Sequence, residues 1–103
     1  MSMTVRSQTI GDKFLVCVAG EVDVSNANEL RNALGEAVQA DVKEVEVDLE
    51  QVSYIDSTGI GVLVGAAHKA AEANRAFAVT HPQRNVERVL TMLGVGEELG
   101  VRA

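Results

Sequence analysis

Seven consecutive residues, Glu44-Val45-Glu46-Val47-Asp48-Leu49-Glu50, alternate acid and aliphatic without a break. A helix would scatter these acids around its circumference. An extended chain, with its two-residue period, puts every acid on one face and every aliphatic on the other. A sheet covered on both sides would have to bury that row of carboxylates, which is strongly unfavourable unless each finds a partner. The segment is therefore predicted to be a strand in a sheet with one wet face and with helices packed mainly on the opposite side. Val45, Val47 and Leu49 are expected to be buried and Glu44 and Glu46 exposed, while Asp48 stands near the loop end.

The rest of the chain supplies the other elements of a single α/β domain spanning residues 1–103. Residues 4–10 and 13–19 flank Gly11-Asp12 and read as an antiparallel hairpin. Residues 20–24 read as a loop. Ser25 is expected to cap a helix that runs to about residue 40 with Ala27, Leu30, Leu34, Ala37 and Val38 inward. Gly35 lies within it, where glycine is unfavourable. Tyr54 and Ile55 lead through Asp56-Ser57-Thr58-Gly59 into a second helix over residues 59–74, with Ile60, Leu63, Val64, Ala67 and Ala71 inward and Gly61, Gly65, His68 and Glu72 on the other face. Residues 76–80 read as a strand. Pro82 suits the first turn of a third helix with Val86, Val89, Leu90 and Leu93 inward. Gly94 is placed to end that helix in the left-handed conformation, and residues 99–102 are expected to add a short last strand. Strand and helix alternate after the hairpin, which argues for right-handed parallel crossovers.

Composition narrows the function. Fifteen acidic against nine basic side chains give a net charge of −6, the wrong sign for a nucleic-acid backbone, so no direct nucleic-acid partner is expected. Apolar runs such as residues 14–19 and 60–67 are far shorter than the ~20 residues of a membrane-spanning helix, and residues 1–10 lack a signal-peptide core. A cytoplasmic protein with no membrane insertion is expected. Cys17, the sole cysteine, reads as a small hydrophobe.

Most candidate chemistries fail on their own spacing. One cysteine and two histidines, His68 and His81, do not make a metal site. Ser57 with Asp56 and a histidine could be written as a hydrolytic triad, but the Gly-x-Ser-x-Gly elbow is missing, and helix capping explains the same residues. Gly59, Gly61 and Gly65 resemble a dinucleotide fingerprint whose third glycine comes one place late and whose ribose-binding acid is absent. Small residues that let the helix lie close to the sheet or to a partner are the plainer reading. Neither a catalytic centre nor a cofactor is expected. Ser57 is the more informative position. As an N-cap its hydroxyl would accept a backbone N–H, yet Asp56 before it, Thr58 after it and the small residues around the helix start would present that hydroxyl to another protein.

Three blocks, Gly20-Glu21-Val22-Asp23, Tyr54-Ile55-Asp56-Ser57-Thr58-Gly59-Ile60-Gly61-Val62-Leu63 and Arg84-Asn85-Val86-Glu87-Arg88-Val89-Leu90-Thr91-Met92-Leu93-Gly94, together resemble the STAS domain of stand-alone bacterial anti-sigma factor antagonists. The resemblance covers nearly the whole chain. It implies a four- to five-stranded, mostly parallel mixed sheet with helices mainly on one face. It also implies partner switching: the unphosphorylated antagonist binds an anti-sigma factor that is a serine kinase, frees a sigma factor for transcription, is inactivated by phosphorylation, and is reset by a serine phosphatase. Carried over by position, Ser57 would be the phosphoacceptor and Asp56 its flanking carboxylate. Asp23 would shape the docking surface, joined by Thr58, Gly59 and Gly61. Thr58 is the lesser candidate for modification, and a monomer is expected. The resemblance also admits a small structural STAS subunit of a lipid-transport ABC complex or another STAS signalling scaffold. Parallel crossovers would bring Asp23 close to Ser57 in space. Replacing Asp23 by Ala is expected to weaken binding with little change in stability.

Overall fold

The computed structural model describes residues 2–103. Its elements are β1 (Met3–Ile10), β2 (Lys13–Val22), α1 (Ala27–Gln39), β3 (Glu44–Ile55), α2 (Ser57–Glu72), β4 (Ala76–Thr80), α3 (Arg84–Met92), a one-turn α4 (Gly96–Leu99) and β5 (Val101–Arg102). The strands form one five-stranded sheet in the order β1-β2-β3-β4-β5. β1 pairs antiparallel with β2, and every later pairing is parallel. Each crossover advances one place in the same direction, so right-handed connections put the helices on a common side. The apolar rows of the sheet, Val16, Val18, Val45, Val47, Leu49 and Val79, are buried together with Leu30 and Leu34 of α1, Leu63 of α2, and Val86 and Leu90 of α3.

The acid row lies on the face opposite this core, as its period demands, but the face is not uniformly wet. Val45, Val47 and Leu49 are buried and Glu44 is half-buried. Glu46, expected to be exposed, retains only 9% of its accessible surface. It stays charged because partners reach it from both neighbouring strands. Lys13 Nζ of β2 lies 2.7 Å from one carboxylate oxygen, and the Thr80 hydroxyl of β4 donates to the other at 2.7 Å. Asp48 is half-buried with His81 beside it, and Glu44 pairs with Arg102.

The Lys13 bond is the main reason the Glu46 pKa lies below its ordinary 4.5, with burial opposing and Thr80 assisting. A depressed acid pKa stabilises the fold above the ordinary value, and that contribution is lost as pH falls through the lowered one. Glu46→Gln is therefore expected to destabilise by about 1–3 kcal/mol near neutral pH, less than a fully buried pair because Lys13 remains partly solvated. Thermal melts of both forms between pH 3 and 7 should converge at the acid end.

Several boundaries differ from the sequence expectation for identifiable reasons. β2 continues through the predicted loop to Val22, because Gly20 takes φ +98° at an irregularity where β3 carries extra residues. β3 likewise extends to Ile55: its buried positions step from Leu49 to Val52 to Ile55, and two register shifts absorb the odd spacing. On the inward face of α2, Val62, Ala66 and Ala70 join Ile60, Leu63 and Ala67. Val64 is half-buried and Ala71 exposed. On α3 only Val86 and Leu90 are buried, while Val89 and Leu93 remain 37% and 55% exposed. Pro82 precedes α3, whose N-cap is Gln83. Gly94 adopts the left-handed conformation (φ +71°) as expected. Leu99 is the last residue of α4, so the final strand begins at Val101. α3 closes the upper edge of β3, which β4 leaves unpaired, through the Gln83 and Asn85 amides donating to the Glu50 and Ser53 carbonyls at 2.9 Å.

Candidate functional site

The site lies where parallel β2 and β3 end together. Val22 pairs with Ile55, and the Asp56 N–H donates to the Val22 carbonyl at 3.1 Å. The loop that begins at Asp23 and the turn that begins at Asp56 are thus neighbours on one sheet edge, which brings Asp23 alongside the start of α2 across the intervening sequence. Parallel strands leave all such turns at one end of the sheet.

At the head of α2 the cap belongs to Asp56, not to Ser57. Asp56 has extended backbone, and its Oδ1 accepts the Gly59 N–H at 3.0 Å. Both residues are good caps. Asp56 takes the role because its hydrogen bond to Val22 already holds it in the sheet's extended conformation. Ser57 becomes the first helical residue, exposed to solvent, and its hydroxyl is not consumed in capping. Thr58 is half-buried.

Gly59 explains why the helix can begin here. A Cβ at this position would stand 2.7 Å from Val22 Cγ1 and 2.8 Å from Ile55 Cγ1. The glycine lets the first turn rest directly on the strand ends, so the space a phosphate-binding glycine would leave free is filled by the protein's own side chains. Gly61 differs. It is exposed, and a Cβ there would meet nothing within 4 Å.

Asp23 is occupied within its own loop. Its carboxylate accepts the Ser25 N–H at 2.9 Å as well as the Ser25 hydroxyl, and this hydroxyl is the main cause of its lowered pKa. The expected Ser25 cap is therefore absent. The position before α1 is taken by Asn26, which is buried and locks the loop from below: its Oδ1 accepts the Asp23 N–H at 3.0 Å and its Nδ2 donates to the Glu21 carbonyl at 2.9 Å. Sequence reasoning missed Asn26, although Asp-x-x-Asn at a strand end is a spacing that permits such mutual bonding. It also gave no role to Val24 and Tyr54, which stand 75% and 43% exposed on segments of this edge. The histidines are engaged elsewhere, His68 with Glu98 of α4 and His81 with Asp48. Among the described residues, no group of three His, Cys, Asp or Glu side chains is placed to hold a metal ion, and no helix is long and apolar enough to cross a membrane.

Comparison with known proteins identifies the family. Residues 4–103 match the family profile described as STAS domain. An anti-sigma-B factor antagonist of Staphylococcus epidermidis is 35% identical over 100 residues, covering 97% of this chain and 81% of that protein. The fold superimposes on an anti-sigma factor antagonist from Mycobacterium paratuberculosis with a TM-score of 0.88 at 23% identity, covering 97% of this chain and 85% of that one. It also superimposes on the anti-sigma factor antagonist SpoIIAA in its unphosphorylated form, with a TM-score of 0.82 at 19% identity, covering 97% and 89%. SpoIIAA has been solved in a phosphorylated form as well. On the strength of the profile match and the Staphylococcus relative, this chain belongs to the STAS domain family and, within it, to the anti-sigma factor antagonists.

Proposed function

We propose that this protein is a phosphorylation-controlled partner switch. With Ser57 unmodified it binds an anti-sigma factor that is also a serine kinase, and the sigma factor held by that kinase is released. The kinase then transfers the γ-phosphoryl group of ATP to the Ser57 hydroxyl, the complex dissociates, and a serine phosphatase restores the active form. The protein itself acts in the cytoplasm as a binding module and a substrate, not as an enzyme.

The observation that carries this reading is the free Ser57 hydroxyl: Asp56 supplies the helix cap, which leaves an exposed serine at a helix start beside the Asp23 loop. The family of the chain supports it, as does the existence of SpoIIAA in unphosphorylated and phosphorylated forms. Asp23 contributes by holding the loop that flanks the serine. Asp23→Ala is therefore expected to weaken kinase binding, with a modest fall in thermal stability because the Ser25 bonds are lost with it. Isothermal titration and a thermal melt of the same preparation check both outcomes. The test of the reading is affinity capture with the unphosphorylated protein, followed by identification and purification of the captured partner. Direct binding to a purified serine kinase that also holds a sigma factor supports it. Recovery of an ATPase with a membrane permease, and of no such kinase, contradicts it.

A further inference from the structure

The face of α2 that carries Ser57 continues into a groove between α1 and α2 that the molecule leaves open. Gly61 and Gly65 of α2, Gly35 of α1 and Val62 form its floor, with Arg31 and Lys69 beside it. Ser57, Gly61, Gly65 and Lys69 follow one another at four-residue intervals, which on a helix is one oblique row that winds from the hydroxyl into the groove. At about 1.5 Å per residue the row extends roughly 18 Å from the hydroxyl, enough to lie along some three turns of another helix.

Two observations say what belongs there. A Cβ at Gly35, Gly61 or Gly65 would meet no atom within 4 Å, so the fold does not require glycine at any of the three. Both helices nevertheless forgo the better propensity of alanine at these positions. Glycine serves where another backbone must approach closely. The second observation is charge. The chain carries −6 overall, yet the charged residues lining this groove are both cations, and neither Arg31 nor Lys69 forms an ion pair among the described residues.

Building on the partner-switch reading, we propose that this groove receives an acidic helix of the anti-sigma kinase. The helix lies on the glycine floor with its carboxylates facing Arg31 and Lys69, and it fixes the kinase to the face that presents Ser57. Third-helix packing of this kind places axes 8–10 Å apart, and small residues at the contact bring them to the near end of that range.

The test uses the purified kinase from the capture experiment. Gly65→Leu should lower its affinity at least tenfold while the thermal midpoint stays level or rises, and Ala71→Leu, on the same helix but outside the groove, should change neither. Reversing both cations, Arg31→Glu with Lys69→Glu, should cost at least tenfold, most at low salt, where exposed charges are least screened. Wild-type affinity in Gly65→Leu, with the kinase still binding the wild type, overturns the groove and leaves the partner switch standing. Loss in Gly65→Leu but not in the charge reversal overturns the acidic occupant. A concentration-dependent dimer of the isolated protein that Gly65→Leu abolishes assigns the groove to a second copy and overturns the kinase helix. If wild type itself fails to bind any sigma-holding kinase, both readings fall.

Discussion

Ser57→Asp is expected to lower affinity for the anti-sigma kinase by about 100-fold or more, roughly 2.7 kcal/mol, while the circular dichroism spectrum and thermal midpoint hardly change. Two effects of the new charge compete, and their magnitudes decide the outcome. Within the fold the charge stands at the exposed first residue of α2, where the helix dipole favours an anion by about 0.3–1 kcal/mol. Asp56 next to it opposes this only weakly in water. In the complex, a surface shaped around a neutral hydroxyl would have to desolvate an unpaired carboxylate, which costs about 2–5 kcal/mol. The interface term is the larger, so binding is lost and the fold persists. A phosphate, with about −1.5 to −2 charges, acts in the same direction and more strongly. Ser57→Ala should bind like the unmodified protein and resist inactivation. Equal affinity of wild type and Ser57→Asp, measured by titration calorimetry, would contradict this account.

The second large effect concerns stability, and it turns on two glycines only two residues apart. Gly59→Ala is expected to destabilise by about 1–3 kcal/mol, because the new methyl presses on Val22 and Ile55, two buried β-branched side chains on the strand ends that have little room to rotate away. That overpacking outweighs the small propensity gain near a helix end. Gly61→Ala is expected to do the opposite and stabilise by about 0.5–1 kcal/mol, since its methyl enters open space. Urea melts of the two variants should fall on opposite sides of wild type. If Gly59→Ala raised the midpoint, the close packing of α2 on the sheet edge would be wrong.

These residues also mark how much was legible without coordinates. The unbroken alternation from Glu44 to Glu50 identified the strand, the helix-bearing face and the fate of Val45, Val47 and Leu49, because a period of two admits one arrangement. It did not reveal that Glu46 is buried, since the burial comes from Lys13 and Thr80 on neighbouring strands, contacts that no local pattern contains. The same limit applies beyond Leu49, where register shifts restore the pairing that the three-residue spacing of Val52 and Ile55 interrupts. Amphipathic spacing placed Val89 and Leu93 inward on α3, but only Val86 and Leu90 are buried, because the short helix meets the end of β3 rather than the middle of the sheet. At the site, the helix cap passed from one residue to its neighbour. Asp56 and Ser57 are adjacent and equally able to cap. What separates them is the hydrogen bond from Asp56 to Val22, a long-range contact.

The central claim is that the hydroxyl set free by this exchange is the one the kinase modifies. Its most direct test is to incubate the purified protein with the proposed anti-sigma kinase and Mg-ATP, digest it, and locate phosphate by tandem mass spectrometry. The account predicts one phosphate per chain, on Ser57, and none in Ser57→Ala. Phosphate on Thr58 in place of Ser57, or an unmodified protein in the presence of a demonstrably active kinase, would contradict it.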